Sequence, residues 1–85
     1  MSDWIQVNDS LVKEFKFNSF EDAMLFMQNA ALEISRINHH PEWTNVYNRV
    51  KVSLTTHDAG NVVTDKDLEL SKILDTVFER MVLLF

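Results

Sequence analysis

Apolar residues recur at spacings of three and four in two long stretches of this chain, and each stretch follows a pair of short segments that mix apolar and polar residues. In residues 19 to 37 the stripe is Phe20, Ala23, Met24, Met27, Ala30, Ala31, Ile34 and Ile37. Toward the C-terminus it is Leu70, Ile73, Leu74, Val77, Phe78 and Met81. A period near 3.6 places each set on one face of a helix that buries it. Ser19 stands where a cap belongs, with Asp22 three residues later as a weak form of the capping box. Thr64 can cap the last helix, and Asp65 and Asp67 in its first turn suit the positive end of the helix dipole. The methionines read as filler of a small, irregular core.

The shorter segments read as strands. Residues 4 to 7 and 11 to 17 are separated by Asn8-Asp9-Ser10, whose side chains tolerate left-handed backbone angles. Residues 44 to 47 and 50 to 56 read as a hairpin turning at Asn48-Arg49. There Val50, Val52 and Leu54 alternate with Lys51, Ser53 and Thr55, so one face is buried and the other wet. The order β-β-α-β-β-α predicts an α+β fold: a two-layer sandwich of a four-stranded antiparallel sheet with both helices on one face. Its open face and strand edges need cover or partners.

With 85 residues the chain holds one domain, residues 1 to 85. A chain this short buries only roughly 60 to 65% of its unfolded surface, and oligomerisation adds to so small a core. It has no cysteine, so neither a disulfide nor a thiolate metal site is possible. With one glycine and one proline, turns depend on Asn, Asp, Ser and Thr. The net charge is −5 and no Lys/Arg cluster occurs, which disfavours direct binding to nucleic acid. No apolar run follows a basic start, and the longest apolar run, Met81 to Phe85, is far too short to span a membrane. The expectation is a cytoplasmic protein.

The chemistry-bearing residues are three histidines. His39 and His40 follow the first helix and His57 follows the second hairpin strand, with Asp58 and Asp67 nearby. If the helix end and the strand end meet at one rim of the sheet, all three converge. Pro41 disfavours helix at His40. Imidazole exchanges protons near neutrality, so such a cluster suits proton transfer, for example elimination of water from an activated substrate. Three histidines can also hold zinc, and a histidine pair at a helix C-terminus can be a dipole partner with no further role. Trp43 and Tyr47 fit core and rim positions equally well. No phosphate-binding glycine loop, serine elbow, cysteine nucleophile or dinucleotide fingerprint is present.

One set of residues is more specific. Asn38-His39-His40-Pro41-Glu42-Trp43, then Asn45-Val46-Tyr47-Asn48, then Val50 through Gly60 with Thr55-Thr56-His57-Asp58, then Asp67, closely resembles the pterin-4a-carbinolamine dehydratase family. The resemblance extends more loosely over nearly the whole chain. It implies elimination of the hydroxyl at carbon 4a of a tetrahydropterin as water, in tetrahydrobiopterin recycling, with no metal or organic cofactor. By the same resemblance His39, His40 and His57 are the catalytic residues: His39 and His57 are acid and base, and His40 binds and orients the pterin and shares the proton work. Pro41 and Trp43 shape the pocket wall, and Asn38, Thr55, Thr56, Asp58 and Asp67 fall where the family contacts substrate. The resemblance also implies a homodimer or homotetramer, with the apolar run Met81-Val82-Leu83-Leu84-Phe85 packing on a partner or on its own sheet. Its alternative is a non-catalytic dimerisation or partner-binding module of the same fold.

The chain departs from the family pattern at three points. Many members carry Glu four residues before the first histidine, where this chain has Ser35, and Glu33 lies about half a helical turn away. One extra residue falls near Asn61-Val62-Val63. The helical lead that many members place before the first strand is missing, the chain starting almost at Trp4.

Overall fold

The computed structural model describes residues 3–84. Met1, Ser2 and Phe85, the last residue of the closing apolar run, lie outside the described residues. The elements are β1 (Ile5–Val7), β2 (Ser10–Lys16), α1 (Phe20–Ile37), β3 (Glu42–Val46), β4 (Arg49–Leu54), a single 3-10 turn (His57–Ala59) and α2 (Asp65–Leu84). All strand pairs are antiparallel and the order across the sheet is β1-β2-β4-β3. This is the expected α+β sandwich.

The register sorts side chains onto two faces. Leu54 lies opposite Leu11, Val52 opposite Lys13 and Trp43, and Val50 opposite Phe15 and Asn45. Leu11, Phe15, Val50, Val52 and Leu54 are buried with Ala23, Phe26, Ala30 and Ile34 of α1 and Leu70, Leu74 and Met81 of α2. Phe15, Phe17, Phe26 and Phe78 form the centre of this core, with ring centroids 4.8 to 6.4 Å apart. The alternation places Lys13 on the same inward face. Its ammonium lies 2.7 Å from Asp75 Oδ1 of α2, and the Trp4 indole N–H donates to the same carboxylate at 3.0 Å. The Lys13 ammonium also sits 4.7 Å from the Phe15 ring centroid, so ion pair and π face share the desolvation of the charge.

Two local features differ from the sequence expectation. The hairpin turns at Tyr47-Asn48, one residue earlier than expected, because Arg49 pairs with Val46 and Lys16. Asn48 is held against β2: its side-chain N–H donates to the Phe17 carbonyl at 2.9 Å, and its own carbonyl accepts the Phe17 N–H at 2.8 Å. Tyr47 takes the positive φ of 50° that the turn then needs. The caps differ in kind as well. Ser19 caps α1 as expected, its hydroxyl accepting the Asp22 N–H at 3.1 Å. At α2 the cap runs the other way: the Asp67 carboxylate reaches back to accept the Thr64 N–H at 2.9 Å, while the Thr64 hydroxyl lies 2.6 Å from that of Thr56. This is the carboxylate half of a capping box without the hydroxyl half.

Candidate active site

The site forms where the end of α1, the end of β4 and the start of α2 meet. Asn38 closes α1 in the left-handed conformation (φ 53°, ψ 44°), which Asn tolerates and which turns the chain sharply. His39 therefore leaves the helix axis and enters the sandwich, and its side chain is 12% exposed. Pro41 keeps His40 from continuing a helix. On the opposite wall Thr55-Thr56-His57 follow the end of β4. The Thr55 hydroxyl donates to the Asp9 carbonyl at 2.9 Å, tying this end to the β1–β2 turn. A bridge between Thr56 and Val62 closes the loop that follows, with Gly60 and Asn61 at φ 87° and 61°. The closed loop brings Asn61 Oδ1 to 2.7 Å from His57 Nδ1.

Asp67 is the hidden centre of the arrangement. It is fully buried, and its Oδ1 lies 2.6 Å from His39 Nε2. Its Oδ2 accepts the Thr56 hydroxyl at 2.7 Å and the Thr64 N–H at 2.9 Å. Burial pushes this carboxyl up, but the hydrogen bonds from His39, the Thr64 backbone and Thr56, with the His39 charge, outweigh it and hold it below the usual aspartate value. A carboxylate with three donors is ionised and acceptor-only, so the hydrogen in the His39 contact sits on Nε2.

A cavity of about 180 Å³ opens above this network. His39, His40 and His57 line it, with Asn38, Thr55 and Thr56 between them and Asp58 and Lys66 at its edge. The structure thus brings together the three histidines and four of the seven residues expected to contact substrate. Asp67 lies beneath the cavity, behind His39. Pro41 and Trp43 do not line it: Trp43 is half-buried on β3 opposite Val52, packed against the core. Glu33 is 3.0 Å from Arg36 and borders the groove between α1 and α2, and the Ser35 side chain is exposed. Neither fills the place of the family's carboxylate. Among the described residues no three His, Asp or Glu side chains are grouped so as to hold a metal ion.

Sequence reasoning missed Lys66 and Asn61. The signal for Lys66 was its place in the first turn of α2, one residue before Asp67. Asn61 lies four residues beyond His57 in a loop with few other polar side chains. A larger cavity of about 270 Å³, between Lys16, Phe17 and Asn18 on one side and Phe78 and Met81 on the other, holds no histidine.

Three imidazoles lining a small polar cavity suit acid–base chemistry such as elimination or hydration. Residues 1–77 match the family model described as pterin 4 alpha carbinolamine dehydratase. A protein of Opitutus terrae, provisionally named pterin-4-alpha-carbinolamine dehydratase, is 51% identical over 87% of this chain and 76% of its own length. The crystal structure of a transcriptional coactivator/pterin dehydratase from Brucella melitensis superposes with a TM-score of 0.83 at 39% identity, covering 87% of this chain and 80% of that one. A pterin dehydratase-like protein identified as a RuBisCO assembly factor in the α-carboxysome shares the fold, with a TM-score of 0.75 at 20% identity over 92% of this chain and 90% of its own. The chain belongs to the pterin 4 alpha carbinolamine dehydratase family.

Proposed function

We propose that this protein removes water from a 4a-hydroxytetrahydropterin to give a quinonoid dihydropterin, with His39 as the acid and His57 as the base, in recycling of the tetrahydropterin used by aromatic amino-acid hydroxylases. The observation that carries this reading is that two imidazoles facing one cavity have different partners: a buried carboxylate for His39, an amide oxygen for His57. Asp67 occupies Nε2–H of His39, leaving Nδ1 as the nitrogen that exchanges a proton, and it supplies a counter-charge when the ring is protonated. Asn61 Oδ1 only accepts, so it fixes the hydrogen of neutral His57 on Nδ1 and leaves the lone pair on Nε2.

The step balances. The bond from carbon 4a to oxygen breaks, and the hydroxyl leaves as water with the proton of His39 Nδ1. The N5–H proton passes to His57 Nε2, and the electron pair of that bond becomes the second bond between N5 and carbon 4a. One proton is given and one taken, and exchange with solvent resets both rings. His40 orients the pterin, and the step as written uses no metal or organic cofactor.

The test is decay of the 4a-hydroxytetrahydropterin absorbance, generated in situ by a hydroxylase. The wild type accelerates it, and His39→Ala and His57→Ala each remove most of the acceleration. A folded wild type that gives no acceleration rejects the reading. The same proposal includes a homodimer or homotetramer, supported by the exposed apolar side chains Leu32, Val82 and Leu83. In the closing run Met81 is buried, while Val82 and Leu83 are exposed.

A second reading, a partner-binding module of the same fold, draws support from Ser35 in place of the family's carboxylate and from the Brucella relative, which is described as a transcriptional coactivator/pterin dehydratase. Wild type without dehydratase activity would favour it.

A further inference from the structure

The histidine cavity does not end at Lys66. A second cavity of about 370 Å³ lies beyond it, lined by Thr64, Asp65 and Ala59, and it shares Thr56, Asp58 and Lys66 with the first. The histidine cavity alone, about 180 Å³, is smaller than the roughly 300 Å³ from which sites for small organic ligands begin. A ligand that fills it has an exit past Asp58 and Lys66, which line both cavities.

Substrate chemistry gives that exit a use. In a tetrahydropterin the substituent-bearing carbon 6 is bonded to N5, and N5 is bonded to carbon 4a. A site that grips carbon 4a and N5 between two histidines therefore sends the carbon 6 substituent out beside the group that handles N5. That group is His57, and Asp58 follows it in the chain. Resting on the proposed function, we propose that the second cavity is the subsite for the carbon 6 substituent and that Lys66 determines specificity there.

The lining states what the subsite takes. The Thr56 and Thr64 hydroxyls are committed to Asp67 and to each other. Lys66 makes no ion pair or hydrogen bond among the described residues, so its ammonium is the donor left for a ligand. Asp58 and Asp65 provide acceptors. One ammonium beside two carboxylates suits a neutral substituent with hydroxyl groups, each able to accept from Lys66 and donate to a carboxylate. An anionic substituent gains Lys66 but meets both carboxylates, and a methyl group gains neither.

The test compares 4a-hydroxytetrahydropterins carrying a dihydroxypropyl or a methyl group at carbon 6, with wild type, Lys66→Met and Lys66→Arg. The preference, the ratio of kcat/KM for the two substrates, falls about tenfold in Lys66→Met and returns in Lys66→Arg, as loss of a charge-assisted hydrogen bond predicts. The matching 7,8-dihydropterins, which cannot lose water, report the same preference as a ratio of Kd values. An unchanged ratio in Lys66→Met by both readouts overturns the subsite. A Lys66-dependent Kd ratio with no turnover of either substrate keeps the subsite and rejects the dehydratase. Turnover of both with no Lys66-dependent preference does the reverse.

Discussion

His39 Nε2 and Asp67 Oδ1 are 2.6 Å apart, joining the residue just beyond α1 to the first turn of α2 through a carboxylate that solvent does not reach. The carboxylate fixes the tautomer and aim of the imidazole. Asp67→Asn keeps the shape but offers an amide that can donate as well as accept. Dehydratase turnover is expected to fall about a hundredfold, near the low end of what a positioned acid contributes, with KM moving less than kcat.

The same carboxylate sets an acid limit on stability. Its folded value lies below the ordinary aspartate value of 3.8, so the folded state binds this proton less readily than the unfolded chain. The contribution is fully present above the unfolded value and is lost as pH falls through the folded one. Urea midpoints of wild type are expected to drop more steeply below about pH 4 than those of Asp67→Asn. Parallel curves would show that Asp67 has no such role.

Asn61 stands to His57, the proposed base, as Asp67 stands to His39, the proposed acid. In Asn61→Leu the Nδ1–H of His57 loses its acceptor and the ring is free to change tautomer. A loss in kcat of about tenfold is expected, with the fold intact by circular dichroism. Asn61→Asp retains an acceptor and recovers most of the rate.

Lys13, Asp75 and Trp4 form a polar cluster between sheet and helix, with Lys13 and Asp75 side chains 13% and 17% exposed. Asp75→Ala leaves an ammonium and an indole N–H without their shared acceptor. It is expected to lower unfolding free energy by about 2 kcal/mol. Lys13→Met combined with Asp75→Leu is expected to cost less than the sum of the single changes, because an apolar pair needs no desolvated partner. A double-mutant cycle in urea measures this.

Tyr47 holds φ at 50° at the hairpin tip while 66% of its surface is exposed. Backbone strain is thus retained with little packing in return. Tyr47→Gly relieves a steric cost of about 1 kcal/mol, part of which returns as lost chain entropy. A small net rise in Tm is expected, and a fall would show that the tyrosine ring contributes packing that exceeds the strain.

Both helices and the hairpin strands were legible because each depends on a periodic pattern that burial enforces: Phe20 to Ile37 for α1, Val50-Val52-Leu54 for β4. The meeting of His39, His40 and His57 was legible from topology, since a helix end and a strand end at one rim must approach. Contacts between elements distant in sequence left no local trace. Nothing in the neighbourhood of Asn48 announces that it pairs with Phe17 and so moves the turn to Tyr47. The burial of Lys13 left no sign in the sequence because Asp75, its partner, is 62 positions away. Asp67 read as a substrate contact, and only the meeting of the start of α2 with His39 and Thr56 shows that three protein donors occupy it.

Because Asp67 joins the last helix to the loop after α1, the order in which the chain assembles matters for the chemistry. The strands and α1 can come together and present His40 and His57 at the rim. His39 acquires its partner only when α2 docks and its first turn closes on Thr64. A folding intermediate with the sheet complete and α2 still undocked would hold all three imidazoles and be inert, so the appearance of activity during refolding reports the docking of α2.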